Sequence, residues 1–542
     1  MTVPGRSTAR LLPWHAAAIA GLAAALVSAP SIRNGFVRDD HWVVEQRPLL
    51  RYPPSIAAVL AAPFWPPSFG GRLWRPAVLA SFALDYRVSA NPSWFHFVNV
   101  VWAALVAAAL ALVASLVADQ RIGLATGLLF AVHPVHVEAV ANVVGRAELL
   151  AAAGYALALI GALRAERNRG WLAGLVLGSA LGIASKEHAA TLPAAVLLLV
   201  LGRGITRGES WRTSVRSAWP LVAGATLPIV AYFGVRSLVL PGGAFASGGL
   251  APGLGGLSLI GRAWGMAPLS LVWLRLLVAP AHLSADYSPA FATVSTAITP
   301  WHLAAIAIWL ALAWGAWRLR HRTWWPLVGL GWVVITIAPV SNVLVPTELL
   351  VAERTLYLPS WGAMLAIVAT VSALVPSGVR QTLLAIAVIG GAWRSLTRIP
   401  VWRDEQSNIE ALKRDAPNSY RSLWQEGREA FDAGHWGSGE RLLREAIVAA
   451  PQIPGPKEDL AWRYITAGYW RPAADLLAGA IADDSSRSRP WIELPLVLLT
   501  AGDTARAVAI AQAAVARFPG DSAVARSAGA VLGASNQATP RP

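Results

Sequence analysis

Long apolar segments separated by short polar connections fill the 542-residue chain up to about Ala392. A helix needs roughly 17 to 25 residues to cross the hydrocarbon core of a bilayer. Windows of about that length lie at 11–30, 96–118, 121–141, 148–163, 219–240, 301–317, 325–345, 356–375 and 380–393. Because 55% of the residues are hydrophobic and only 14% are charged, one soluble core cannot bury them. The sequence therefore predicts an all-α, polytopic membrane protein.

Two further spans are predicted between Trp171 and Leu201, a stretch that is apolar except for Lys186, Glu187 and His188. They are short and meet at this charged elbow, and they bring the predicted number of spans to eleven. The window at 11–30 follows two arginines, as in a signal peptide. Pro30 directly after its small residues argues against cleavage, so we interpret the window as an uncleaved first span.

The arginines between the apolar segments predict the topology. If residues 263–280 lie on the outer face, the clusters 164–169, 203–216 and 318–322 all fall on the inside with the N-terminus, as the positive-inside rule requires. Arg262 and Arg275 also suit an interfacial helix better than a spanning one. We expect the N-terminus inside and the C-terminal domain outside.

The same rule explains the net charge of +15. The arginines stand between apolar runs and form no aromatic-interleaved basic patch, so no nucleic-acid partner is expected. The chain has no cysteine, which excludes disulfides, iron–sulfur centres and thiolate metal sites.

Charged residues become dense from Arg394 onward, and this change sets the predicted domain boundary between residues 1–399 and 400–542. In the second part, three sets of positions recur with a period of 34 residues: Gly434, Gly468 and Gly502; Trp436, Trp470 and Thr504; Ala446, Ala480 and Ala514. This period is typical of tetratricopeptide repeats, which stack helix pairs into an α-solenoid. Such an array binds peptides or partner domains, so an adaptor is its simplest interpretation.

Ionisable residues next to apolar segments are candidates for function, since burying charge in a bilayer is costly. With the predicted topology, such residues from several distant segments gather on the outer side, and we expect them to form one site. They are Asp39, Asp40, His133, His136, Glu138, Lys186, Glu187, Asp286, Glu353 and Arg354. On a continuous helix, Arg146 shares one face with Glu138 and Asn142.

Each group has more than one interpretation. Asp39 and Asp40 suit a carboxylate base, but also a helix cap, a surface pair or, with His41, a weak metal site; no metal is predicted. Pro134 should kink its span. Lys186 should pair with Glu187 or with an anionic ligand.

Glu353 and Arg354 form either a local ion pair or a phosphate site. A planar guanidinium suits the second role.

Several segments occur in a fixed order from about residue 31 to the end of the chain: NGFVRDDHWVV, LWRPAVLASFALDYRV, NPSWFHFVNV, AVHPVHVEAVANVVGRAELL, ASKEHAATLP, LSADYSP, VAERTLYLPS and VWRDE. In this order they resemble the transmembrane and tetratricopeptide-repeat O-mannosyltransferase family. The resemblance implies a GT-C fold for residues 1–399, with residues 31–94 as the first outer loop that carries the acidic pair. Arg38 precedes the pair, at a position where an aromatic residue is common in the family. We expect this difference to change the pKa of the base or the acceptor preference.

The resemblance also implies the reaction. A hexose, mannose in eukaryotic relatives, passes from a polyprenyl-phosphate carrier to a hydroxyl acceptor, expected to be protein Ser/Thr, in one inverting step. Asp39 would act as base and Asp40 would orient it. Arg146, Lys186 or Arg354 would stabilise the leaving phosphate, with His133 or His136 donating hydrogen bonds, and no cofactor is required.

The Ala/Arg-rich composition suggests a bacterial inner membrane, with the repeat domain extracytoplasmic. Three alternatives stay open: a non-catalytic membrane scaffold that binds partners through the repeats, a transporter, and a lipid A or cell-wall aminoarabinose-type transferase. A transporter would place its charges near the midplane in paired halves.

Overall fold

The computed structural model of the chain describes residues 12–66, 69, 73–240, 250–288 and 294–538, and the regular structure within them is helical. In chain order, the helices before residue 240 are α1 (Pro13–Ser28), α2 (Pro48–Arg51), α3 (Ile56–Ala61), α4 (Pro76–Val88), α5 (Pro92–Val117), α6 (Gln120–Ala131), α7 (Val137–Ala141), α8 (Arg146–Ala165), α9 (Leu172–Ser185), α10 (Leu192–Thr206) and α11 (Trp211–Val239). They are followed by α12 (Leu259–Met266), α13 (Leu269–Val278), α14 (Pro300–Leu319), α15 (Trp325–Ile337), α16 (Tyr357–Leu374) and α17 (Ser377–Arg398). The all-helical prediction is confirmed.

Among the described residues, eight helical segments are long and apolar enough to cross a membrane: Pro13–Arg33, Pro92–Val117, Val143–Ala165, Glu187–Thr206, Trp211–Val239, Pro300–Leu319, Glu353–Leu374 and Ser377–Trp402. The bent pair Gln120–Ala131 and Pro134–Ala141 makes a ninth if it is one span. The other two predicted spans coincide with shorter apolar helices, Arg169–Ser185 and Trp325–Val340. The chain is a multi-pass membrane protein, and each of the eleven predicted segments forms a helix.

Residues 263–280, predicted not to cross, are divided between α12 and α13 at Pro268. At 1.5 Å per residue, the ten residues of α13 are about 15 Å long, half the thickness of a hydrocarbon core. The piece is therefore too short to span as a straight helix, in agreement with the prediction.

The arginines between the helices lie at one end of the bundle. Arg203, at the end of α10, donates to the Leu163 carbonyl near the end of α8 (2.9 Å). Arg322, after α14, donates to the Ala373 carbonyl near the end of α16 (2.9 Å). Since α15 starts beside the end of α10, where Gly202 faces Val328, these helix ends belong to the same side. Arg6 and Arg10 lie outside the described residues.

Helix α8 forms the centre of the bundle and is almost entirely buried. It packs closely against α9, because a Cβ at Gly154 would collide with the backbone of Gly178 and Gly182. Small residues at such positions let helices in lipid approach one another. The first outer loop folds over the same helix, and its core residues Phe64 and Phe82 share an apolar cluster with Leu150 of α8.

The C-terminal part contains eight helices: α18 (Glu405–Asp415), α19 (Tyr420–Asp432), α20 (Trp436–Ala449), α21 (Pro454–Thr466), α22 (Trp470–Asp483), α23 (Ser488–Thr500), α24 (Thr504–Arg517) and α25 (Ser522–Ala538). Gly434, Gly468 and Gly502 adopt φ of +79°, +80° and +85° in the turns that join the two helices within each pair. This left-handed conformation favours glycine. The recurring alanines Ala446 and Ala480 are fully buried at the helix contacts. The predicted tetratricopeptide solenoid is confirmed.

Candidate active site

The acidic pair lies where the first outer loop meets the broken helix α7–α8. Asp40 is completely buried and accepts three backbone hydrogen bonds, from Val37 (3.2 Å), Val143 (3.2 Å) and Val144 (2.8 Å). Desolvation raises the pKa of Asp40 to about 7, although the three amides lower it. Asp40 therefore fastens the loop to the start of α8.

Asp39, by contrast, is only half-buried. It stands just before a π-helical turn, His41–Glu45, a rare geometry that often marks functional positions. Its charge acts on three arginines that come from distant parts of the chain, Arg38, Arg354 and Arg421. A carboxylate in this position can receive a proton beside fixed cations.

The helix that follows His136 is not continuous, so the prediction that Glu138, Asn142 and Arg146 share one face is wrong. The chain extends at Asn142 (φ −103°, ψ 126°) between α7 and the next helical turn. This break frees the amides of Val143 and Val144, which Asp40 then occupies. The kink predicted at Pro134 is confirmed, since the two helices around it are bent by 52°.

Arg146 is fully buried and its donors are already used. It forms an ion pair with Asp85 and donates to Asn99 Oδ1 and the Phe95 carbonyl (both 2.8 Å). Desolvation raises the pKa of Asp85, and Arg146 opposes that shift. This pairing leaves Arg146 few free donors for a phosphate.

Both predicted histidines are buried among helices. His133 Nε2 lies 3.1 Å from the Leu277 carbonyl, and His136 Nε2 lies 2.8 Å from Ser360 Oγ. His136 also stands between the rings of Phe130 and Tyr357. These contacts join α6, α13 and α16.

Lys186 forms an ion pair with Glu148 of α8, and the predicted pairing with Glu187 is not found. His188 contributes to the same cluster, with Nδ1 3.6 Å from Glu148 Oε2. Lys186 and Glu187 diverge because the chain is extended at Lys186 (φ −158°, ψ 139°). The partner Glu148, one helix away, was missed because its sequence context is that of an ordinary helix surface.

Glu187 instead accepts from two arginines that the sequence reasoning did not single out. Arg75 Nη2 of the first outer loop and Arg236 Nη1 of α11 each lie 2.9 Å from its carboxylate. Glu187 keeps about a quarter of its side chain exposed. Arg75 could have been found from the family resemblance, because it lies in the segment LWRPAVLASFALDYRV.

Glu353 and Arg354 do not pair with each other, so the local ion pair considered for them is wrong. Arg354 pairs with Glu138 of α7. Glu353 turns the opposite way, accepting from Ser284 N (2.7 Å) and Tyr287 Oη (2.9 Å), with Arg398 Nη2 3.6 Å away. Adjacent residues at the start of one helix thus connect two different neighbours.

Asp286 lies between the membrane helices and the first repeat. Its Oδ1 is 3.7 Å from Nε of Arg421 on α19, and Arg38 donates to the carbonyl of the preceding residue, Ala285 (3.2 Å). Arg421 therefore brings a cation of the repeat domain to the predicted site. The sequence did not predict this contact, because it depends on how the repeat domain packs against the membrane domain.

Within the described ranges, no group of three or more His, Cys, Asp or Glu side chains is arranged to hold a metal ion. The site is instead a set of ion pairs at one end of the helix bundle. It centres on Asp39, Glu138, Arg354 and Lys186, with Arg38 and Arg421 on the side of the solenoid.

These features define a class: a multi-pass helical membrane protein whose buried charges meet at one end, with a tetratricopeptide solenoid joined to that end. Residues 83–234 match the family model described as dolichyl-phosphate-mannose-protein mannosyltransferase. The chain is 39% identical over 158 residues to Protein O-mannosyl-transferase TMTC1 of Mus musculus, covering 28% of this chain and 17% of that protein.

It is 25% identical over 485 residues to Protein O-mannosyl-transferase TMTC4 of Homo sapiens, covering 78% of this chain and 65% of that protein. The chain thus spans less than two thirds of the length of these curated relatives. The solved oligosaccharyltransferase of Archaeoglobus fulgidus aligns with 77% of this chain and 56% of its own at 12% identity, with a TM-score of 0.35, too low to support an argument. The family model and these relatives make the chain similar to the transmembrane and tetratricopeptide-repeat O-mannosyltransferases.

Proposed function

We propose that this protein is a GT-C-type membrane glycosyltransferase. It moves a hexose, with mannose as the first candidate, from a polyprenyl-phosphate carrier to a hydroxyl of a protein Ser or Thr. Residues 1–399 form the transferase domain and residues 400–542 the repeat domain. The observation that carries the proposal is the half-buried Asp39. Its charge acts on the adjacent Arg38 and on Arg354 and Arg421 from two distant segments, while its neighbour Asp40 is held by backbone amides.

The reaction is a single inverting displacement. The acceptor oxygen attacks the anomeric carbon, the bond from that carbon to the phosphate oxygen breaks, and the hydroxyl proton passes to Asp39. The bonding pair leaves with the phosphate, which remains on the carrier. Asp40 acts by holding the loop that presents Asp39. No metal or cofactor is invoked, because fixed cations can meet the developing charge.

The leaving phosphate needs donors that are not fully used within the protein. Lys186 and Arg354 fit this need, since each makes one ion pair and keeps part of its side chain exposed, 13% and 24%. Arg75, also 13% exposed, is an added candidate. Arg146 is the weakest of the original candidates, because its donors are spent on Asp85, Asn99 and Phe95.

His133 and His136 are more easily assigned to helix packing than to the phosphate, because their bonded nitrogens already face Leu277 and Ser360. Glu138 and Glu187 would then hold Arg354 and Arg75 in place. Glu353 would orient the Tyr287 loop.

The proposed location is a bacterial inner membrane, with the N-terminus cytoplasmic and both the site and the solenoid extracytoplasmic. The arginine-bearing end of the bundle would face the cytosol. The solenoid would bind the acceptor protein, and the carrier would reach the site from the lipid.

The test is transfer by purified protein in detergent or liposomes, using a panel of polyprenyl-phosphate sugars and Ser/Thr peptides with mass spectrometry. We expect a hexose-sized addition with the wild type. Asp39→Asn should lower turnover by three or more orders of magnitude, the upper end for loss of a general base, while carrier binding persists.

The matched control is Asp119→Asn, which changes an aspartate that caps α6 at the opposite end of the bundle, and asparagine caps equally well. This variant should keep full turnover. Full transfer by Asp39→Asn would contradict the assignment of the base. No transfer by the wild type with any donor would favour the non-catalytic scaffold.

A further inference from the structure

Two arginines from different parts of the chain flank Asp286. Arg38 belongs to the first outer loop, and its Nη1 donates to the Ala285 carbonyl (3.2 Å). Arg421 is the second residue of α19, the first helix of the first repeat pair, and its Nε lies 3.7 Å from Asp286 Oδ1. The first outer loop and the solenoid thus each supply one cation to the same place.

Asp286 alone does not balance the two guanidinium groups, and Asp39 and Glu138 add negative charge around Arg38. The two arginines are close enough to repel each other, because Arg421 adds to the effect of burial in lowering the pKa of Arg38. For Arg421, burial is outweighed by Tyr420, Asp286 and Asp39, which raise its pKa. A guanidinium is not deprotonated in proteins, so both groups are cations.

Both guanidinium groups also retain hydrogen-bonding capacity. Arg421 donates from Nε to Tyr420 Oη (2.8 Å), and among the described residues its two terminal amino groups have no hydrogen-bond partner. About 31% of its side chain is exposed. Arg38 uses one amino group on Ala285, and its guanidinium lies 5.9 Å from the Trp402 ring. A carboxylate is the planar anion that such free donors bind best.

The position of the arginines distinguishes an acceptor from a donor. Lys186, Arg354 and Arg75, the cations suited to a carrier phosphate, stand at the ends of membrane helices or next to them. Arg38 and Arg421 instead lie at the junction with the solenoid, next to Asp39. A peptide that places its hydroxyl at Asp39 would bring its neighbouring side chains to these arginines.

We propose that Arg38 and Arg421 form an acceptor subsite that binds an acidic side chain close to the modified Ser or Thr. This inference rests on the proposed function. The repeat domain would then contribute directly to acceptor selection, through a side chain in the site.

The experiment compares paired peptides that differ only by Glu or Gln beside the acceptor hydroxyl, with one carrier-linked hexose. For the wild type we expect kcat/KM to favour the acidic peptide about tenfold, mainly through KM, as loss of a charge-assisted hydrogen bond would imply. Arg421→Gln and, separately, Arg38→Gln should bring that ratio close to one.

Arg428→Gln is the matched control, because Arg428 lies on the same helix but faces Asp459, 3.6 Å away; it should leave the ratio unchanged. Transfer without an acidic preference in the wild type overturns the subsite and leaves the proposed function intact. An equal loss for both peptides in the two site variants, with the ratio preserved, also overturns it. Absence of transfer with every donor overturns the proposed function and the subsite together.

Discussion

Two adjacent aspartates have different surroundings. Asp40 is enclosed and tied to Val37, Val143 and Val144, whereas Asp39 is half-buried and faces cations. The DD motif suited a base, a helix cap, a surface pair or a weak metal site. In the structure the Asp40 side chain does not cap the helical turn that follows it. The division could not be predicted, because it depends on amides freed one hundred residues later by the break at Asn142.

At this scale we expect a measurable pH effect from Asp40. Burial raises its pKa from 3.8 to about 7, so the folded protein keeps the proton that the unfolded chain releases near pH 4. Its contribution to stability is therefore full below about pH 4 and falls as pH rises to about 7.

Asp40→Asn lacks the titrating group, so its melting temperature relative to the wild type should rise between about pH 4 and pH 7 and stay level above that. Thermal unfolding in detergent at several pH values measures this difference. A constant difference across the range would show that Asp40 titrates normally.

Lys186 shows what a local sequence pattern can predict about a buried charge and what it cannot. The sequence indicated a cation that needs an anion and offered Glu187 or an anionic ligand as the partner, while the structure pairs it with Glu148. The choice is decided by the extended backbone at Lys186 and by the close packing of α8 on α9. Both are effects of tertiary structure, which the residues adjacent to Lys186 do not predict.

Among the elements, α18 connects the solenoid to the first outer loop. Its first residue, Glu405, accepts a hydrogen bond from the backbone of Arg38 (2.8 Å). Arg38 has a φ of +52°, a conformation that a non-glycine residue adopts only when its surroundings enforce it. Glu405 therefore helps to fix the backbone that carries Asp39.

We expect Glu405→Ala to slow transfer about tenfold, chiefly in kcat, because losing a charge-assisted hydrogen bond costs roughly 1.5–3 kcal/mol and would loosen the base. The measurement is steady-state kinetics with a neutral acceptor peptide. Glu410→Ala is the control: Glu410 lies on the same helix, but its carboxylate accepts from the exposed Gln406 of that helix. Equal rates for both variants would show that α18 does not position the base.

Element positions followed closely from hydropathy and from the 34-residue period. Every predicted span is helical, although the one at 121–141 is bent at Pro134, and the recurring glycines at 434 and 468 stand in turns. The break between α7 and α8 falls between the predicted spans 121–141 and 148–163, but Glu138, Asn142 and Arg146 were expected on one continuous helix. Asn142 interrupts it, and its backbone geometry is stabilised by Asp40 from the loop.

For the whole molecule, Arg398 joins the membrane bundle to the solenoid. It is 2% exposed and lies 2.8 Å from Asp415 of α18 and 3.6 Å from Glu353 at the start of α16. Neither part of the sequence shows this contact, because the three residues come from segments that hydropathy and repeat analysis treat separately.

Arg398→Met should destabilise the protein by roughly 3–5 kcal/mol, since it leaves the buried Glu353 without its cation and removes one of the two arginines at Asp415. Denaturation followed by tryptophan fluorescence tests this. Arg414→Met, which removes an exposed arginine that also contacts Asp415 (2.9 Å), should change stability by less than about 1 kcal/mol. A small effect of Arg398→Met would mean that the junction is held by its apolar residues alone.

The linker between the helix bundle and the solenoid is short and largely buried. Only the turn Ile399–Trp402 and two further residues separate α17 from α18, and Ile399, Val401 and Trp402 are buried. Such a linker prevents the solenoid from rotating freely relative to the bundle. If acceptors dock along the solenoid, they meet the first outer loop at a fixed distance and angle. Under the proposed function, this fixed geometry would determine which hydroxyl along a bound chain is modified.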